Sequence, residues 1–278
     1  MESSLLRKKL AENGYFCGED LALILRLCET LRKPLLLEGP AGVGKTELAR
    51  AYAAASGRAL IRLQCYEGLD ERRALYEWNY QKQLLYLESQ TRTDWEEVKK
   101  DLFSEEFLLP RPLLKAFLAE EPAVLLIDEI DKSDEEFESF LLEALSDFAV
   151  TIPERGTVRA KTIPMIFLTS NAMRDFSDAL KRRCVHYYID YPSPAEEARI
   201  LRAKLPGLSE TFAADIAAFA QKARKMKLSR APGLAEVLDW AAVLCELGIE
   251  SLDDRRVGDT YHFLVKSRED FLRLKEGK

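Results

Sequence analysis

The stretch that most constrains this chain is PLLLEGPAGVGKTELAR, residues 34–50. An apolar run turns through glycines into a helix-forming series that opens on Lys45-Thr46. Gly39, Gly44, Lys45 and Thr46 stand at the positions of the GxxxxGK[ST] phosphate loop. Backbone N–H groups can converge on phosphate oxygens only where side chains do not obstruct them, which calls for glycine. A helix starting at Lys45 then aims its unpaired N–H groups and positive dipole end at the anion. Lys45 is expected to reach the β- and γ-phosphates, and the Thr46 hydroxyl to ligate Mg²⁺. The candidate phosphate-binding residues are therefore Gly39, Pro40, Ala41, Gly42, Val43, Gly44, Lys45, Thr46 and Glu47.

Such a loop needs a sheet around it, and 278 residues suffice for one large or two modest domains. With 47% apolar and 32% charged residues the composition is that of an ordinary soluble globular protein. The formal charge of −6 provides no basic field for nucleic acid or an anionic membrane, and no stretch is long and apolar enough to span one. The opening MESSLLRKKLAENG lacks the order of a signal peptide. The five cysteines form no CxxC pair and read as reduced thiols, so a cytoplasmic setting is expected. The two histidines, His186 and His262, lack metal-ligand spacing and read as structural.

In chain order, residues 3–14 and Glu19 to Leu31 read as amphipathic helices. Tyr15 and Phe16 between them either cover an adenine or are plain core aromatics. Leu35 to Glu38 is the first strand, Lys45 to Ser56 its helix, and Ala59 to Gln64 a second strand. A long helix is expected from about Glu71 through Glu106, interrupted around Ser89 to Asp94, and another from Phe107 to Ala119 with Pro110 and Pro112 near its start. Phe137 to Phe148 reads as a helix, and residues 150–162 as a hairpin around Glu154-Arg155-Gly156. Asp178 to Arg183 is a short helix and Val185 to Ile189 a last strand. After Pro194 only helical periodicity remains, over 195–205, 209–225, about 232–247, and 259–275. That change places a boundary at 190–195.

The second motif is AVLLIDEIDKSD. Ala123 to Ile127 is an unbroken apolar run, the mark of a parallel strand covered on both faces. An acid at its tip can hold the Mg²⁺ hydration shell, the role expected of Asp128. The next acid can polarise an attacking water, the role expected of Glu129. The competing reading has both merely cap the following helix. Asp131 and Asp134 are expected to be caps or interface charges. A further buried strand, Met165 to Thr169, ends in Ser170-Asn171. Asn171 either contacts the terminal phosphate and its water or simply serves the turn.

Phosphate loop, LLIDE strand, Ser-Asn strand, arginine pair and all-helical tail, in that order, resemble the AAA+ ATPases over nearly the whole chain. The interrupted helix at 76–106 resembles a helix-2 insertion, and the hairpin at 150–162 the insertion before the sensor-1 strand, as in the MoxR-type branch. The phrases LQCYEGLDERRALYEWNYQKQLLYL and ALKRRCVHYYIDYPSP resemble the CoxD-like ATPases, chaperones of carbon monoxide dehydrogenase maturation. The resemblance implies an α/β AAA+ nucleotide-binding domain over 1–192 and a helical lid domain over 193–278. It implies Mg²⁺-dependent ATP hydrolysis in a hexameric ring. The implied partners are a protein with a von Willebrand factor A domain and a client protein such as a molybdenum hydroxylase. Asn171 would be the first sensor. Arg183, or adjacent Arg182, would be a finger reaching the neighbouring subunit's phosphate, unless the pair is a solvated helix end. Arg230, in LSRAPGLAEV, precedes the proline where the family's second-sensor arginine follows it. It is either that sensor or a surface arginine. The basic hairpin residues Arg155, Arg159 and Lys161 either face the pore or partner side, or are solvated.

Other classes stay in view. A GTPase would carry Asn-Lys-x-Asp, and none of Asn13, Asn79 and Asn171 is followed by lysine. A small-molecule kinase would not need the Asp-Glu tandem with a helical tail. A scaffold that senses nucleotide without turnover is the alternative to an ATP-driven remodelling chaperone. A DNA motor is disfavoured by the acidic balance.

Overall fold

The computed structural model describes residues 2–89, 94–153 and 155–276. Helices α1 (Ser3–Glu12) and α2 (Glu19–Leu31) precede strand β1 (Leu35–Glu38), and α3 (Lys45–Ser56) precedes β2 (Leu60–Gln64). A detour follows: α4 (Glu71–Leu75), β3 (Tyr76–Trp78), α5 (Tyr80–Ser89), α6 (Trp95–Leu102), β4 (Leu108–Pro110) and α7 (Pro112–Phe117). The chain returns through β5 (Val124–Asp128) and α8 (Glu135–Asp147) to the hairpin β6 (Ala149–Ile152) and β7 (Gly156–Arg159). Then come β8 (Met165–Ser170), α9 (Asp178–Arg183) and β9 (Val185–Tyr188). The remainder is helical: α10 (Pro194–Lys204), α11 (Glu210–Arg224), α12 (Leu234–Glu246) and α13 (Arg268–Glu276).

Five strands form one parallel sheet in the order β2-β5-β8-β1-β9. This is the central parallel sheet of the expected phosphate-loop fold. Alternation along β5 shows how both faces are filled. Val124 and Leu126 join the core beneath α1–α3, whereas Leu125 and Ile127 join the core beneath α7 and α8. All four side chains are fully buried. The helices after Pro194 build a separate core around Trp240, Phe212 and Tyr261.

The expected long helix is corrected. Helix α4 stops after five residues, and Tyr76–Trp78 pairs antiparallel with Leu108–Pro110 in a two-stranded ribbon. Trp78 packs edge-on against Phe103 and Tyr76, a tertiary cluster that overrides local helical pattern. Pro110 lies in that ribbon, where a missing N–H is tolerated, and the helix expected from Phe107 starts only at Pro112. Helix α5 buries Gln83, which donates to Leu102 O at 2.7 Å, while Tyr80, Leu84 and Leu85 are exposed. Residues 90–93 of the expected break, Glu154 of the expected turn, and the end residues 277 and 278 lie outside the described residues. The helix expected over 259–275 is two pieces. A 3₁₀ stretch, Val257–Phe263, ends before α13, where the Ser267 hydroxyl accepts the Asp270 N–H at 3.1 Å. In the basic hairpin Arg155 pairs with Glu105, and Lys161 with Glu120 at 2.5 Å, while Arg159 is exposed. Among the described residues no helix is long and apolar enough to cross a membrane.

Candidate active site

The loop between β1 and α3 is shaped by close contact. Gly39 has φ +151°, and a Cβ there would stand 2.0 Å from Ile189 O at the end of β9. Gly42 has φ +78°, and its Cα side faces α12. Gly44, which caps α3, offers no side-chain bond to the helix's first N–H groups. Those donors therefore point into a cleft of about 980 Å³, lined by the loop, Asp128, Glu129, Asn171 and Arg230. Tyr15 and Phe16 line the same cleft, and Tyr15 lies 3.5 Å from where a Gly44 Cβ would be. Lys45 and Arg230, 185 residues apart in the chain, thus line one cleft.

Lys45 is 7% exposed and its three N–H bonds are all used. Nζ donates to Gly39 O (2.8 Å), Pro40 O (2.7 Å) and Asn171 Oδ1 (3.0 Å). Burial holds its pKa below the ordinary lysine value, and the nearby charges of Asp131, Asp128 and Glu129 oppose that shift. Thr46 Oγ1 donates to Asp128 Oδ1 at 2.9 Å, so the hydroxyl and the carboxylate expected to share Mg²⁺ already meet. Asp128 Oδ1 also accepts from the Thr169 hydroxyl at 2.6 Å. Thr169 in turn accepts the Glu129 N–H at 2.9 Å.

Glu129 has φ 57°, a left-handed backbone unusual for a residue with a side chain. The turn lifts its carboxylate off the strand axis, where it accepts from Gln64 Nε2 at 2.9 Å and pairs with Lys132 at 2.6 Å. Asp131 corrects an expectation. It is not a surface cap but 9% exposed within the site, accepting the Asn171 N–H at 3.1 Å. Its other oxygen is buried and has no hydrogen-bond partner among the described residues. Asp134 does cap α8, accepting from Phe137 N at 2.8 Å. Thr169, Gln64 and Arg62 were given no role from the sequence, and the register of β2 and β8 against β5 is what brings them to the acidic pair. Asp131 was read only as a cap or interface charge, and its contact with Asn171 reveals its place.

The helical part reaches the loop through α12. Ala235 N donates to Gly42 O at 3.1 Å, and a Cβ on Gly233 would stand 2.7 Å from Ala41 O. Arg230 lines the cleft, 4.0 Å from Glu236 and largely exposed. Arg182 and Arg183 do not line it. They end α9, where Arg183 donates to the Ser146 hydroxyl (2.5 Å) and Ala179 O (3.1 Å).

A buried ammonium in a glycine cradle, a free helix N-terminus and a hydroxyl–carboxylate pair fit a nucleotide triphosphate with Mg²⁺. The donor set suits that ion, which binds through few protein oxygens and keeps several waters. A solved structure shares the fold. A RuvB point mutant from Thermotoga maritima superposes with TM-score 0.53 at 18% identity, covering 92% of this chain and 72% of that one. A second T. maritima RuvB, described as a Holliday junction branch migration motor, gives TM-score 0.47 at 17% identity, covering 94% and 69%. The family profile described as "AAA domain (dynein-related subfamily)" matches residues 34–184, from the first strand of the sheet to the end of α9. The chain belongs to that family and is an AAA+ ATPase.

Proposed function

We propose that this ATPase uses Mg-ATP to remodel a client protein as a homo-oligomeric ring. The observation that carries the proposal is the convergence of Lys45, Thr46, Asp128, Glu129 and Asn171 on one cleft that Arg230 of the helical part also lines. Residues 1–192 form the nucleotide-binding domain and 193–278 the lid. Thr46 and Asp128 would hold Mg²⁺, which when bound would offset the phosphate charge. The loop N–H groups and Lys45 hold the phosphates. Glu129 accepts a proton from the attacking water as the water oxygen bonds the terminal phosphorus and the bridging P–O bond breaks, releasing ADP and phosphate. Asn171 senses the terminal phosphate beside Lys45. Arg183, or Arg182, acts on the neighbour's site, which fits its place outside its own cleft.

The finer assignment rests on resemblance to the MoxR-type branch and its CoxD-like members. The stretch 76–106, which holds α5 and α6, and the hairpin at 150–162 support it by their likeness to that branch's two insertions. By this assignment the chain works in the cytoplasm with a von Willebrand factor A domain partner, maturing a metalloenzyme such as a molybdenum hydroxylase. The restraint of Glu129 by Gln64 and Lys132 favours a second reading, a nucleotide-sensing scaffold with little turnover.

The test is ATP turnover per subunit against protein concentration, with Glu129→Gln and Arg183→Ala beside the parent. A shared site requires specific activity to rise steeply with concentration. Glu129→Gln is expected to bind ATP and stall, with turnover down about 10²- to 10⁴-fold. Arg183→Ala is expected to lose turnover and keep binding. Activity that stays flat from monomer to oligomer, with native mass tracking assembly, overturns the shared site. No turnover with or without a partner puts the scaffold first.

A further inference from the structure

Strand β2 carries two polar side chains, Arg62 and Gln64, that no motif uses. Two residues apart on a strand, they project to one face. Gln64 is in register with Asp128 on β5, so that face meets the acidic pair. Arg62 places Nε at 2.9 Å and Nη2 at 2.5 Å from Asp128 Oδ2. The other oxygen, Oδ1, is the one that meets Thr46 and Thr169. The two oxygens of a carboxylate that is 1% exposed are thus divided: one faces the phosphate loop, the other Arg62. The guanidinium is itself steadied by donating to Gln64 Oε1.

Two effects of a cation here oppose each other. A positive charge on a metal-binding carboxylate competes with the metal. Two N–H groups converging on one oxygen instead fix the carboxylate's rotation, and outer partners of this kind commonly strengthen metal binding. The division of oxygens decides between them, because Arg62 occupies the oxygen turned away from Thr46. We propose that Arg62 is a positioning residue that holds Asp128 with Oδ1 toward Thr46, raising the site's affinity for the metal–nucleotide complex. The proposal rests on the Mg-nucleotide reading above.

The experiment titrates Mg²⁺ into the full chain with a fluorescent, non-hydrolysable ATP analogue, for the parent, Arg62→Met and Arg62→Lys. Thermal unfolding is recorded for each. Arg62→Met is expected to raise the Mg²⁺ midpoint about 10- to 100-fold, as loss of an outer partner does, and to leave binding in EDTA unchanged. Arg62→Lys, a point charge without the planar pair of N–H groups, is expected to recover only part of the loss. A midpoint that falls in Arg62→Met marks a competitor and overturns the proposal. So does an unmoved midpoint with a lower unfolding temperature, which marks a purely structural pair. Full recovery by lysine overturns the geometric claim, and if the methionine variant does not fold, the lysine variant alone decides. A parent whose binding ignores Mg²⁺ refutes the underlying reading before any variant is compared.

Discussion

Glu138 on α8 illustrates how a single buried acid is kept charged. It is 3% exposed, accepts the Ser177 N–H at 2.8 Å and pairs with Arg174 at 3.0 Å. Burial alone would raise its pKa, but the hydrogen bonds from Ser177 and Arg174 prevail and lower it. A depressed carboxylate contributes stability in full above its unfolded pKa, about 4.3. That contribution fades as pH falls through the lower folded value. Glu138→Gln is therefore expected to cost about 1–3 kcal/mol at neutral pH and to flatten the acid limb of stability below about pH 4.3. Urea unfolding at a series of pH values measures both, and an acid limb as steep as the parent's would refute it. Because Arg174 and Ser177 lie on the loop that follows Asn171, loss of Glu138 should also loosen the turn at Asn171. Neither partner is near Glu138 in sequence, so the pair was not legible there. The placing of Lys45 and Thr46 at the start of α3 was, because the glycine-rich turn before a helix is set by local spacing.

At the scale of elements, the contact between α12 and the phosphate loop is the feature with most leverage. Two glycines make it possible: Gly42 with φ +78°, and Gly233, where a Cβ would stand 2.9 Å from Gly42 Cα. Gly233→Ala leaves the loop's own backbone unstrained but pushes α12 away. Nucleotide affinity is expected to fall about tenfold, near 1.4 kcal/mol, with the sheet's stability unchanged. Equilibrium binding with a thermal melt checks this, and unchanged affinity would show that the contact is passive. Strands such as β5 were legible as apolar runs because both faces are covered. The ribbon of β3 and β4 was not, since three residues carry no period and its partner lies about thirty positions on.

The whole molecule has cores on both faces of the sheet and a separate helical core. Trp240 is central to the last, fully buried, ringed by Phe219 and Tyr261, and donating to Thr260 Oγ1 at 2.7 Å. Trp240→Ala is expected to cost about 3–5 kcal/mol, confined to the helical part. Calorimetry with and without nucleotide reads it. A single transition that moves as one would show the two parts unfold together, and a lowered first transition would show that they do not.

The sequence alone determined the phosphate loop, the buried acidic strand, the strand that ends in Asn171, and the change to an all-helical tail. Each of these is written in local spacing or in an apolar run, and local backbone physics reads such patterns directly. Tertiary structure alone decided that Asp131 joins the site, that Arg62 and Gln64 face the acids, and that α12 rests on Gly42. Those facts come from strand register and from close approach between elements distant in the chain. Neither is encoded in any short window of residues, because each depends on what the rest of the sheet places alongside.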